Sequence, residues 1–233
     1  MKRSVCLFCF IIALVKYIFF VLTFIYLTNW QAVIALFKGA FFSKRKSLSY
    51  KNGWLFNLLK KKTGIRFKFK KAILKNYTAF SLILPPNTIV FSSRILKDFN
   101  KDELQWISLH EAGHRVYYHG IKYIPTSFIF VTSGMLILNY YNNPIVNFLT
   151  VAFSLTPIYQ QIIRIFETQA DQFAAKNMDN PEGMITANKK FGKTIKSRIY
   201  KSDILRTLFT PHLSYNQRIK LAKKEIESRK KKI

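Results

Sequence analysis

The apolar positions of this chain gather into long runs separated by strongly basic stretches. The first run, Ser4 to Leu27, is interrupted by Lys16 alone. It is too long for the core of a secretory signal, and Phe, Tyr and Leu stand where a cleavage site would need small side chains. It reads as an uncleaved membrane anchor, with Lys16 turned toward other helices or snorkelling to the interface. After Thr28-Asn29-Trp30, the shorter run Gln31 to Phe42 is a second tilted pass or an interfacial segment, so residues 1–42 hold one span or two. Two later runs, Ile124 to Tyr140 and Ile145 to Ile163, flank a turn at Asn142-Asn143-Pro144. They predict a helical hairpin in the membrane.

Between anchor and hairpin the pattern changes. Ser43 to Lys75 is polar and crowded with Lys and Arg, which places it on the cytoplasmic side. Thr78 to Ser93 is rich in β-formers on both sides of Pro85-Pro86-Asn87 and predicts a hairpin with strands at 79–84 and 88–91. Its edge would hold an extended peptide by backbone pairing, or simply cover the helix that follows. That helix is Asn100 to Gly120. Asn100 and Glu103 have the spacing of a capping box, and Gly120 can stop the helix in the left-handed conformation.

Composition sharpens the membrane reading. Hydrophobic residues make up 49% of the chain, including 22 Phe and 12 Tyr. A formal charge of +27 would suit nucleic acid or an anionic membrane surface. Basic blocks beside apolar runs favour the membrane, and with no nucleic-acid motif present no nucleic-acid partner is expected. Cys6 and Cys9 lie inside the first apolar run and read as small apolar fillers rather than a redox pair.

The candidate chemistry sits in the helix after the β-hairpin. His110 and His114 are one turn apart and project from the same face, and Glu111 follows the first of them. Zinc takes such nitrogen ligands in a tetrahedron with one position open for water. A carboxylate beside that water can accept its proton and pass it to a leaving amine. Far along the chain, where the last apolar run passes into Arg164 to Asp171, Glu167 and Asp171 are again one turn apart. Alone, such an acid pair is an ordinary solvated face. After H-E-x-x-H it supplies the carboxylate ligand, Glu167, and an acid able to orient a ligating histidine, Asp171. His119 reads as an end-of-helix residue and His212, taken alone, as structural. From Ala174 onward the chain is soluble and basic. It ends in an amphipathic helix with Ile219, Ala222 and Ile226 on one side, and a tail, Arg229 to Lys232, suited to anionic lipid.

The order of these parts resembles the HtpX and CAAX-prenyl-protease family of integral-membrane zinc endopeptidases. The likeness is carried by HEAGH at 110–114, by Glu167-Thr168-Gln169-Ala170-Asp171 as an E-x-x-x-D motif, by HLSYNQRI at 212–219, and by Thr78-Ala79-Phe80 as a strand element. It implies zinc, one per chain, on His110, His114 and Glu167. Glu111 would be general base, His212 would stabilise the tetrahedral intermediate, and Asp171 and Arg218 would support the site. Two positions depart from the family's pattern: Leu213 replaces a proline, and Thr78 replaces an asparagine whose amide helps bind substrate or oxyanion. A threonine hydroxyl still donates one hydrogen bond.

The sequence therefore predicts a mainly α membrane protein with a zincin-like α+β catalytic domain and a small β-hairpin or sheet beside the H-E-x-x-H helix. Residues 1–42 form the anchor, 43–122 and 164–233 the two parts of the catalytic domain, and 123–163 the transmembrane hairpin. The expected partners are protein or peptide substrates and a bilayer with anionic headgroups, with the active site facing the cytoplasm. Two rivals stay open: a catalytically silent membrane scaffold of the same fold, and a basic lipid- or nucleic-acid-binding membrane protein.

Overall fold

The computed structural model describes residues 47–74, 76–82, 87–140, 143–194 and 210–231, together with helical positions at Val15 and Ile18. The rest of the expected anchor, with Cys6, Cys9 and Lys16, lies outside the described residues.

The described fold contains a four-stranded mixed sheet in the order β1-β2-β4-β3. Strands β1 (Ser47–Ser49) and β2 (Lys68–Ala72) pair antiparallel, β2 and β4 (Thr88–Ser92) parallel, and β4 and β3 (Ala79–Leu82) antiparallel with Phe80 opposite Val90. The expected hairpin is therefore β3–β4, set within a larger sheet. Strand β4 is buried at all five positions, as an interior strand covered on both faces must be. Between β1 and β2, helix α1 (Gly53–Thr63) starts on an Asn52 side-chain cap and stops at Gly64, whose φ of 72° is open to glycine at no steric cost.

A short helix α2 (Ser93–Asp98) separates the sheet from helix α3 (Lys101–Val116). The capping box is present: Asn100 Oδ1 accepts from the Glu103 N–H at 2.9 Å, and Glu103 Oε2 from the Asn100 N–H at 2.8 Å. The end of α3 departs from expectation. The helix stops at Val116, Tyr118 takes the left-handed conformation with φ 56°, and Gly120 lies inside the next helix, α4 (His119–Tyr140). Packing rather than glycine's freedom fixes the bend. Arg115 lies over the Tyr118 ring at 5.7 Å, and His119 is fully buried immediately after it.

Helix α4 is followed by α5 (Pro144–Thr150), a π-helical turn (Val151–Leu155) and α6 (Thr156–Asn177). The two later apolar runs thus form a helical hairpin as the turn at Asn142-Asn143-Pro144 predicts. The stronger expectation, that its arms are membrane spans, is not met: no helix among the described residues is long and apolar enough to cross a membrane. The second arm is divided by the π-helical turn, and α6 becomes polar from Gln160 on. Helices α7 (Glu182–Thr194) and α8 (Tyr215–Lys230) complete the fold. The main core joins α1, the sheet, α3 and the last helices through Leu59, Phe69, Phe91, Leu109, Met178 and Met184.

The contact that builds the site is the crossing of α3 and α6. A Cβ on Gly113 would lie 3.2 Å from the Ala170 Cα and 3.4 Å from its carbonyl oxygen. The glycine of HEAGH and the alanine of ETQAD thus let the two backbones approach, which sets His110 and His114 against Glu167 and Asp171.

Candidate metal centre

Side chains from both helices converge at that crossing. His110 Nε2 and His114 Nε2 are 3.2 Å apart. Glu167 Oε2 lies 3.5 Å from His110 Nε2, and Glu167 Oε1 3.4 Å from His114 Nε2. A tetrahedron with zinc–ligand bonds of about 2.05 Å has edges of about 3.3 Å. The two histidine nitrogens are about one such edge apart, and each faces a different oxygen of the Glu167 carboxylate at a similar distance. Two imidazoles plus a carboxylate are a donor set that zinc accepts. These three residues can hold a metal ion as a group.

The surroundings orient each donor. His110 Nδ1 lies 2.8 Å from Asp171 Oδ1, and because a carboxylate only accepts, that nitrogen carries the hydrogen and leaves Nε2 facing the centre. Asp171 is fully buried and also accepts from Arg218 Nε at 2.7 Å. Burial alone would raise the Asp171 carboxyl, but the Arg218 and His110 charges outweigh it and hold it below its usual range. Burial works in the same direction on Glu167, where His212, His114 and hydrogen bonds from His110 and His212 hold the carboxyl well below the usual range. Burial would lower His110, yet Asp171 and Glu167 push it up to about 10, whereas burial dominates at His114 and lowers it. The centre is thus a buried place that attracts positive charge.

Every residue singled out in the sequence except Thr78 reaches this centre or its supports. Glu111 is nearly buried between the two histidines on α3, and its Oε2 accepts from the Ser81 N–H of β3 at 2.7 Å. His212 Nδ1 lies 2.8 Å from Glu167 Oε2, with the histidine side chain 57% exposed on the open side of the site. Arg218 comes within 3.8 Å of Glu167 Oε2 and lies over the Trp106 ring at 5.6 Å. Thr78 stands at the start of β3, its backbone paired with Ser92, and the group from this strand that meets Glu111 is the Ser81 N–H.

Two further residues belong here: Gln169, and His119, which the sequence reads as an end-of-helix residue but which is fully buried at the start of α4. His119 Nδ1 lies 3.0 Å from His114 Nδ1, and His119 Nε2 lies 2.9 Å from Gln169 Oε1. Burial pushes His119 down to about 4. The only sequence signals for the pair are a third histidine shortly after HEAGH and a glutamine between the two acids of ETQAD.

The family model of peptidase family M48 matches residues 52–226, well over half of the chain. Among solved structures, the crystal structure of S. mikatae Ste24p is similar with a TM-score of 0.64 at 17% sequence identity. The match covers 93% of this chain and 62% of that one, so the chain spans less than two thirds of the length of that structure. At this identity the likeness is one of fold: mainly helical with a small mixed sheet. No curated protein matches the chain.

Proposed function

Because the chain belongs to peptidase family M48, we propose that it is a membrane-associated, zinc-dependent endopeptidase acting on membrane or membrane-adjacent proteins. The observation that carries the reading is the convergence of His110 Nε2 and His114 Nε2, 3.2 Å apart, on the two oxygens of the Glu167 carboxylate at 3.5 and 3.4 Å. Held by His110, His114 and Glu167, zinc would polarise the scissile carbonyl and lower the pKa of a water toward about 7.

The chain's own groups do the rest. Glu111, oriented by the Ser81 N–H, takes a proton from the attacking water and delivers it to the leaving amine. His212 stands exposed on the open side, where a modest rotation would turn its ring from Glu167 to the developing oxyanion. Asp171 keeps His110 in one tautomer and orientation, while Arg218 offsets the buried charge of Asp171. Strand β3 lies at the edge of the sheet, so an extended peptide can add beside it and pass Glu111.

The membrane part of the proposal rests on the hairpin, whose Phe128, Ile129, Leu136, Leu149, Phe153 and Ile158 are all exposed. The basic stretch from Ser43 to Lys75 supports a cytoplasmic active site. The chain is expected to stay with vesicles through an alkaline carbonate wash, and quantitative release by that wash would place it at the surface instead.

The activity is tested on detergent-purified protein with casein or a membrane protein as substrate. Glu111→Gln should bind the same zinc and cleave at least about 100-fold more slowly than wild type. Equal turnover by both forms would remove Glu111 as the base, and no cleavage by zinc-loaded wild type would favour the silent scaffold.

A further inference from the structure

His119 is fully buried and opens helix α4, turned back toward α3 by the left-handed residue Tyr118. Its ring stacks on Phe166, centroids 4.8 Å apart at 15°, and on Tyr117 at 5.6 Å and 26°. Held between these rings, its two nitrogens point to His114 Nδ1 on one side and Gln169 Oε1 on the other. We propose that His119, oriented by Gln169, is a positioning residue that fixes His114 in the tautomer whose Nε2 faces the metal. The inference rests on the zinc centre proposed above.

The argument follows the hydrogens. The Gln169 carbonyl oxygen only accepts, so His119 Nε2 carries a hydrogen. A neutral imidazole has one N–H, which leaves His119 Nδ1 as a bare acceptor. Two nitrogens 3.0 Å apart need a hydrogen between them, and it comes from His114 Nδ1. His114 Nε2 is then bare, 3.2 Å from His110 Nε2 and 3.4 Å from Glu167 Oε1. Asp171 holds His110 Nδ1 in the same way. Both imidazoles therefore turn Nε2 toward the Glu167 carboxylate, where a bound cation would replace any hydrogen shared between them.

A neutral device on this side also has an electrostatic reason. The centre already gathers Glu111, Glu167 and Asp171, all buried, and a fourth carboxylate behind His114 would add like charge in a poorly solvated place. A histidine–amide pair orients the ring without that cost.

The test is zinc affinity by chelator competition on the full-length chain in detergent, for wild type, His119→Phe, His119→Asn and Gln169→Leu. Phe keeps a stacking ring but offers no acceptor; Asn loses the ring but sets an amide oxygen near the place of Nδ1. Positioning predicts that His119→Phe weakens zinc binding by about 10- to 100-fold while His119→Asn stays within about threefold of wild type. A purely packing role predicts the reverse order, and that order, or unchanged affinity in His119→Phe, overturns the proposal. Should His119→Phe fail to fold, Gln169→Leu decides: a loss of about threefold or more supports the relay, and wild-type affinity refutes it. Wild type that binds no zinc would bring down the centre itself, an outcome separate from these.

Discussion

Asp171 and the His119–Gln169 pair do the same task for two neighbouring imidazoles by opposite means, one charged and one neutral. Only the first was legible in the sequence. Helical spacing alone puts His110 with His114, and Glu167 with Asp171, on single faces. The loss of turnover expected in Glu111→Gln belongs to this legible set. The role of His119 was not legible because an unbroken helix from Asn100 to Gly120 would make it a residue of the last turn. Its place depends on a bend at Tyr118 that residue preferences assign to Gly120. Ser81 was hidden for another reason: what meets Glu111 is a backbone N–H, which every residue but proline has. Family likeness pointed instead to the side chain of Thr78, three residues earlier.

At the scale of elements, the site depends on how closely α3 and α6 cross. Gly113→Ala would place a methyl 3.2 Å from the Ala170 Cα and 3.3 Å from the Phe173 ring. Backbone cannot yield as a flexible side-chain tip can, so the helices must part. Overpacking costs about 1–3 kcal/mol, partly offset by the roughly 1 kcal/mol that alanine contributes over glycine in a helix. We expect a net loss of about 1 kcal/mol in urea unfolding, with weaker zinc binding. Gly53→Ala, which meets nothing within 4 Å, is the control. A Gly113→Ala chain as stable as that control would show that the close crossing is not needed. The capping box of α3 and the β3–β4 hairpin were readable from local residue chemistry. Strand β2 was not, because KFKKA looks like a solvated basic stretch: Phe69 and Ala72 are buried while Lys68 is exposed. The long-range pairing of β2 with β4 makes it a strand, and no local pattern reports that pairing.

At the scale of the whole molecule, α6 is the piece that unites the apolar hairpin and the chemistry. Its first half packs in the hairpin through Tyr159 and Ile163, and its second half carries Glu167 and Asp171 to the histidines of α3. The lengths of the apolar runs showed the hairpin. They did not show the π-helical turn that divides its second arm, since nothing in VAFSL separates a π-turn from an α-turn. The last helix closes the site from outside, bringing Arg218 to Asp171, with His212 just before it against Glu167. Everything proposed for this chain requires that these distant parts meet around one ion. Anomalous diffraction at the zinc edge, from crystals of the zinc-loaded chain, measures this directly. The expected result is a single peak about 2.0–2.2 Å from His110 Nε2, His114 Nε2 and a Glu167 carboxylate oxygen. A peak held by other residues, or none at this place in protein that cleaves substrate, would contradict it.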